Sequence, residues 1–215
     1  MKIGVLGTGM VGKAISTKLV QLGHSVKMGS RTSNNEKAAE WVKVTGANAS
    51  QGTFADAAAF GELVFNCTSG MASLEVLKLA GANNLSGKAL IDISNPLDFS
   101  KGMPPTLSVC NADSLGEQIQ RAFPAVKVVK TLNTVNCNVM VNPSLVPGSH
   151  DIFVCGNDSG AKSKVTEILK NWFGWKSVID LGDITSARGV EMMMPIWIRL
   201  MGTLQTPNFN FKIVR

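Results

Sequence analysis

Six residues near the start, Gly7-Thr8-Gly9-Met10-Val11-Gly12, constrain the fold more than any others in this 215-residue chain. Ahead of them lies a short apolar run, Lys2 to Leu6. Behind them, as far as Leu22, Ile15, Leu19 and Leu22 recur at helical spacing. Gly23 stops the predicted helix, residues 24–28 read as a second strand, and Gly29-Ser30-Arg31-Thr32 follows. Each glycine has its own use if the turn holds a pyrophosphate. Gly7 permits the tight turn, Gly9 leaves room for a phosphate against the backbone, and Gly12 lets the helix lie close to the strand. The helix start then offers free N–H groups and a partial positive charge to those phosphates. A strand before and a helix after make this a dinucleotide-binding turn.

The end of the second strand selects the dinucleotide. An NAD site places Asp or Glu there to accept from the ribose hydroxyls. Here Gly29 stands in that place, so no carboxylate would repel a 2′-phosphate. Ser30 and Thr32 offer hydroxyl donors, and the planar fork of Arg31 suits a phosphate. Lys37 is expected to reach the same region from the next helix. The cofactor expected is NADP.

Strands and helices alternate through the rest of the chain. Helices are predicted over 34–44, 54–60 (capped by Thr53), 72–79, 114–123, 159–173 and 185–202, the last kinked at Pro195. Strands are predicted over 48–51, 63–65, 88–93, 125–131, 151–155 and 178–181. A proline and glycine loop covers 100–106, where an active-site lid could lie, and a period-2 segment covers 208–213. This pattern predicts an α/β fold with a parallel sheet. Ligands of such sheets bind outside the carboxyl ends of the strands. The polar clusters Thr68-Ser69, Ser94-Asn95-Pro96 and Asn133-Thr134 end strands here, so they are expected to flank the ribose and nicotinamide.

Composition excludes several function classes. The 21 Lys and Arg against 15 Asp and Glu give a net charge of +6, but the basic residues are dispersed, which argues against a nucleic-acid surface and suits a polyanionic cofactor. No apolar run reaches the length of a membrane span, and MKIGVLG reads as a strand and not a signal peptide. Cys67, Cys110, Cys137 and Cys155 lack metal-ligand spacing and read as reduced thiols of a cytoplasmic protein, with no metal site. The chain has no tyrosine, which rules out a Tyr-x-x-x-Lys proton relay. His24 falls at the far end of the sheet, and His150 reads as a solvated loop residue. A carbonyl substrate needs a proton donor beside the hydride, whereas a flavin-like ring needs mainly stacking. The shortage of acids points to the latter, and no residue is assigned a catalytic role.

The runs GTGMVGKAISTKLVQLGHSVKMGSR, DISNPLD, VKTLNT, IFVCGND and DLGDITSARGVEMMMP resemble the NADPH-dependent F420 reductases. They are also similar to the cytosolic reductase domain of the six-transmembrane ferric reductases. The resemblance runs in order from Met1 to about Gly202. It implies a Rossmann-type doubly wound sheet over residues 1–131 and a small C-terminal α/β extension over 132–215 that completes an acceptor pocket. It implies NADP held by Thr8, Met10, Val11, Ser30, Arg31, Thr32 and Lys37, with Thr68, Asn95, Pro96 and Asn133 at the nicotinamide end. Ala187, Met194 and Pro195 would touch an acceptor, either coenzyme F420 or a flavin. The segment 66–70 is more polar than in the archaeal F420 enzymes, and Asn133 sits in a setting closer to the ferric reductases. The expected partner is thus a small-molecule electron acceptor or donor. An apolar stretch at 192–197 would suit a homodimer. Two other readings stand beside this one: a non-catalytic NADP(H)-sensing module, and a reductase of a small carbonyl or imine compound.

Overall fold

A computed structural model describes residues 1–215. The opening unit is β1 (Lys2–Leu6), α1 (Met10–Gln21) and β2 (Ser25–Ser30), followed by α2 (Glu36–Thr45) and β3 (Ala49–Thr53). Next come α3 (Phe54–Phe60), β4 (Leu63–Asn66), α4 (Gly70–Ala80), the single turn α5 (Ala82–Leu85) and β5 (Ala89–Asp92). A small antiparallel hairpin, β6 (Leu97–Asp98) with β7 (Thr106–Leu107), precedes α6 (Leu115–Ala122) and β8 (Lys127–Thr131). The chain ends with α7 (Cys137–Val141), β9 (Asp151–Cys155), α8 (Ser159–Ile168), β10 (Ser177–Asp180), α9 (Ala187–Met192) and α10 (Met194–Leu204).

Eight strands form one sheet in the order β10-β9-β8-β5-β4-β1-β2-β3. The order reverses direction at β1, which lies between β2 and β4, so the crevice above β1 is the topological switch point. Alternate residues feed two cores. Ile3, Val5, Phe65 and Ile152 face α1, α2, α7 and α8, whereas Leu6, Val64, Leu90 and Val128 face α3, α4, α6 and α9.

Local signals set the element ends. Asn35 caps α2 by accepting from Ala38 N, and Thr53 and Asp56 form a capping box at α3. Trp41 is fully buried on α2 and donates from Nε1 to Thr17 Oγ1 at 3.0 Å, which fixes α1 against α2.

The structure departs from the sequence-based expectation at five places. First, the sheet is not parallel throughout, because β9 runs antiparallel to β8. The connection from 132 to 150 holds only α7 and one 3₁₀ turn, stays at the carboxyl edge, and so β9 starts from that edge. Helix α8 then supplies an ordinary crossover, and β10 is parallel to β9. Second, the predicted helix 159–173 closes in a π turn at Leu169–Phe173, ended by Gly174 in the left-handed region. Third, Pro195 does not kink a helix: the helix ends at Met192, and Pro195 lies in the first turn of α10, where its missing N–H costs nothing. Fourth, loop 100–106 is the tip of the β6–β7 hairpin. Fifth, the tail 208–213 forms no strand, although Asp151 N donates to Phe211 O.

Candidate functional site

The glycine turn has the shape that its sequence requires. Gly7 has φ +117°, a value that side chains disfavour, and a Cβ on it would lie 2.8 Å from Cys67 O. A Cβ on Gly12 would lie 2.1 Å from Gly7 O. Gly9 differs from both. A Cβ there would meet nothing within 4 Å, and its φ of −77° is ordinary. Gly9 is also the N-cap of α1, and no side chain caps that helix. Free N–H groups therefore point into open space, as a pyrophosphate requires. Thr8, Gly9, Met10, Lys13, Lys37 and Trp41 line a cleft of about 280 Å³ beside the turn. Met10 is exposed and Val11 half-buried beneath it.

Ser30, Arg31 and Thr32 follow directly from β2. The Ser30 hydroxyl is buried and donates to Thr32 O, which folds the turn so that Arg31 and Thr32 are exposed. Arg31 makes no ion pair within the chain. The sequence reading took Gly29 as the place of an NAD-type acid, and packing gives a different reason for the glycine. A Cβ on Gly29 would sit 2.8 Å from Ala57 Cβ, so α3 imposes it. Arg31 and Thr32 after β2, and Lys37 on α2, are exposed polar side chains beside this turn.

The three strand-end clusters meet. Asn133 is buried, and its Nδ2 donates to Asn95 Oδ1 at 2.9 Å and to Val190 O at 3.1 Å. Asn95 Nδ2 returns a bond to Asn133 O at 2.8 Å. Pro96 is buried beside them, and a Cβ on Gly70 would lie 2.0 Å from Asn95 O, so α4 starts directly against this segment. Leu132 takes a left-handed backbone, φ 61°, to turn Asn133 inward. Thr68 is half-buried and donates to Asn66 Oδ1 at 2.7 Å, while Ser69 is exposed. Thr134 Oγ1 is sealed from solvent without a partner.

Beneath these residues runs a polar row that sequence reasoning missed. Register places Asn66 opposite Asp92 and Asp92 opposite Lys130 on three adjacent strands. Asn66 Nδ2 donates to Asp92 Oδ1 at 2.8 Å, and Lys130 Nζ reaches Asp92 Oδ2 at 2.8 Å. Lys130 also pairs with Glu191 at 2.8 Å, and all three charged side chains are sealed from water. Burial opposes the ammonium, but the two carboxylates hold its pKa above the ordinary lysine value. The signal was present: a lysine within an otherwise apolar strand, KVVKT, must find a buried partner. Cys155 lies opposite Lys130, and burial pushes its thiol up to about 12.

On the acceptor side the sequence expectation needs correcting. Ala187 is fully buried, because α9 packs against α6 so closely that a Cβ on Gly116 would lie 2.9 Å from Ala187 Cβ. It therefore cannot touch an acceptor. Met194 is nearly buried, and Pro195 is exposed. His150 is not a solvated loop residue. Its Nε2 lies 3.0 Å from Pro143 O, its Nδ1 lies 2.9 Å from Asn210 Nδ2, and its ring meets the edge of Trp175. His24 packs at a tilt on Trp172, with a centroid distance of 4.2 Å, at the amino edge of the sheet. No helix is long and apolar enough to cross a membrane, and no three His, Cys, Asp or Glu side chains converge as metal ligands would.

With this geometry in place, three comparisons bear on the chain. Residues 2–96 match the family model described as NADP oxidoreductase, coenzyme F420-dependent. A solved structure of an F420-dependent NADP-reductase candidate from Arthrobacter sp. FB24 is 53% identical over 100% of both chains, with a TM-score of 0.94. The F420-dependent NADP reductase of Methanocaldococcus jannaschii is 30% identical over 93% of this chain and 92% of its own. The metalloreductase STEAP3 of Rattus norvegicus is also 30% identical over 91% of this chain, but the chain spans only 38% of that protein.

Proposed function

The chain belongs to the coenzyme F420-dependent NADP oxidoreductase family and is an NADP-dependent oxidoreductase, and from that premise we propose that it moves hydride between NADPH and coenzyme F420, or a flavin in its place. The observation that carries the choice of acceptor is the absence of a placed proton donor. Both nitrogens of His150 are engaged by Pro143 and Asn210, His24 lies at the other edge, Lys130 is locked between carboxylates, and there is no tyrosine. A deazaflavin or flavin ring needs alignment and no protein acid.

When bound, NADPH supplies the hydride from its nicotinamide ring. The residues around it bind and orient. Gly7 to Gly12 hold the pyrophosphate, and Arg31, Thr32 and Lys37 hold the 2′-phosphate, with buried Ser30 fixing the turn that presents them and not donating to the phosphate as its sequence position had suggested. Thr68, Ser69, Asn95, Pro96 and Asn133 frame the nicotinamide end. Met194 and Pro195 stand on the acceptor side, and residues 132–215 serve as the extension that completes that pocket. The apolar α10, with Ile196 and Leu204 exposed, is the surface through which two copies would pair. Four free thiols suit a cytosolic setting.

The test is turnover of purified protein with NADPH against coenzyme F420, FMN, FAD and ferric chelates. The expected result is reduction of F420 or a flavin, mole for mole with NADPH consumed. Tight NADPH binding without reduction of any of them would leave a sensing module. Reduction only of carbonyl or imine compounds would place a proton donor where none has been identified.

A further inference from the structure

The Asn133 side chain has only one orientation that satisfies its neighbours. Two oxygens, Asn95 Oδ1 and Val190 O, surround its Nδ2. Both donors are therefore spent, and Oδ1 is left over. That oxygen has no partner in the chain and, though Asn133 is nearly buried, keeps some exposure, so it is left to a ligand as a pure acceptor.

Asn95, whose own amide is fixed by its bond to Asn133 O, and the Val190 carbonyl both oppose a flipped amide, and Val190 sits on α9. Ala187 packs on Gly116, Arg188 bonds Glu117 at 2.8 Å, and Glu191 reaches inward. Ala187 and Arg188 meet α6, and the 3₁₀ turn Ile184–Ser186 ahead of α9 lies against β8 and β9. Of the two charged side chains of α9, Glu191 is the one that reaches β8, the strand that leads into Asn133. One carboxylate oxygen accepts from Gly116 N at 3.0 Å and pairs with Lys130 at 2.8 Å, and the other accepts from Leu115 N at 2.8 Å. Glu191 thus joins the helix that offers Val190 O to the strand that leads into Asn133 through a buried ion pair.

We propose that Glu191 is a positioning residue for hydride transfer: it holds α9 so that Asn133 presents Oδ1, and not Nδ2, to the carboxamide N–H of the nicotinamide. This rests on the reading that the nicotinamide end lies at Asn133. An acceptor held there fixes the rotation of the carboxamide, and with it the ring face shown to the incoming acceptor. It also rejects a nicotinic acid ring, whose carboxylate has no hydrogen to donate and is repelled by the oxygen.

The test is a binding measurement, so it does not depend on the acceptor being known. Calorimetry compares NADP, its nicotinic acid analogue, and 2′-phospho-ADP-ribose, which lacks the ring. The wild-type protein should prefer NADP over the acid analogue by about tenfold or more. Glu191→Gln should cut that preference to about threefold or less, while affinity for 2′-phospho-ADP-ribose moves by less than about twofold. Asn133→Ala should do the same. The double variant should lose nothing further, because Glu191 acts through Asn133. A purely structural Glu191 would weaken all three ligands alike, or add its loss to that of Asn133→Ala, and either result overturns the proposal. So does a wild-type protein that binds NADP and its acid analogue equally. If Glu191→Gln does not fold, Glu191→Asp, which draws the carboxylate back by one methylene, enters the same cycle. A failed acceptor screen alongside a successful cycle would refute the proposed reaction and leave this inference standing.

Discussion

Gly9 and Gly12 make an informative pair, because the same substitution should act on them in opposite ways. In Gly12→Ala the new Cβ meets the backbone carbonyl of Gly7 at 2.1 Å, far inside contact distance. Neither partner is a flexible side chain, so α1 must move off β1. Overpacking of this kind costs about 1–3 kcal/mol and often more, and the upper end is expected here. In Gly9→Ala the Cβ enters space that is empty out to 4 Å, at an ordinary φ of −77°. Two small effects remain and oppose each other. Alanine is a poorer N-cap than glycine, and it gains about 0.4–1 kcal/mol by narrowing the unfolded ensemble. Stability should therefore stay within about 1 kcal/mol of wild type. The empty space is where a pyrophosphate oxygen would meet the first N–H groups of α1. Losing one or two charge-assisted bonds of about 1.5–3 kcal/mol each predicts NADPH binding weakened by about tenfold to a hundredfold or beyond. Denaturant unfolding and calorimetry on the two variants give both numbers. If Gly9→Ala were as unstable as Gly12→Ala, the turn would be a packing device. If it were stable and bound NADPH normally, the phosphate site would lie elsewhere.

Three further outcomes follow from the same structure. Arg31→Ala should weaken NADPH by one to several kcal/mol, about the scale of charge-assisted bonds, and leave NADH almost unchanged; equal losses for both would refute its role in selection. His150→Gln should leave turnover within a few fold, because both ring nitrogens are already bound to Pro143 and Asn210, yet lower stability by about 1–2 kcal/mol through those lost bonds; a hundredfold fall in rate would make it a general acid. Arg188, bonded to the nearly buried Glu117, holds that carboxyl below its ordinary range, so its contribution to stability is present in full above the unfolded glutamate value of about 4.3 and is lost as pH falls through the lower folded value. Glu117→Gln should flatten the acid limb of a stability–pH curve, and an unchanged limb would contradict the assignment.

The first half of the molecule was legible because its signals are local. Glycine spacing, Thr53 ahead of a helix and short apolar runs each reflect a constraint within a few residues, and β1 through β4 follow them closely. The failures arise where distant parts of the chain decide. The direction of β9 depends on where the connection from 132 to 150 travels, and no periodicity records that path. Ala187 reads like any residue of a late motif until Gly116, far away in sequence, is seen to press against it. His150 reads as a loop histidine because Asn210 and Trp175, its partners, are remote. Strand-end polar clusters were found from position alone, but the charges beneath them were passed over as part of longer motifs.

The row from Asn66 through Asp92 to Lys130 also bears on how the centre of the sheet assembles. Side chains of a strand alternate between faces, so sliding β8 by one residue against β5 would drive Lys130 into the opposite, apolar layer that holds Ile91, Ile152 and Trp175. Such a slip would bury an ammonium without a partner and take the counter-ion from Asp92 and Glu191, at several kcal/mol in all. Against a total margin of about 5–15 kcal/mol, no shifted pairing of these strands could survive. Apolar strands such as Ala89–Asp92 and Lys127–Thr131, which lie 38 positions apart at their Asp92–Lys130 contact, would otherwise pair about as well one step out of line. The three charges therefore single out one register: only the native alignment gives the ammonium both of its carboxylates.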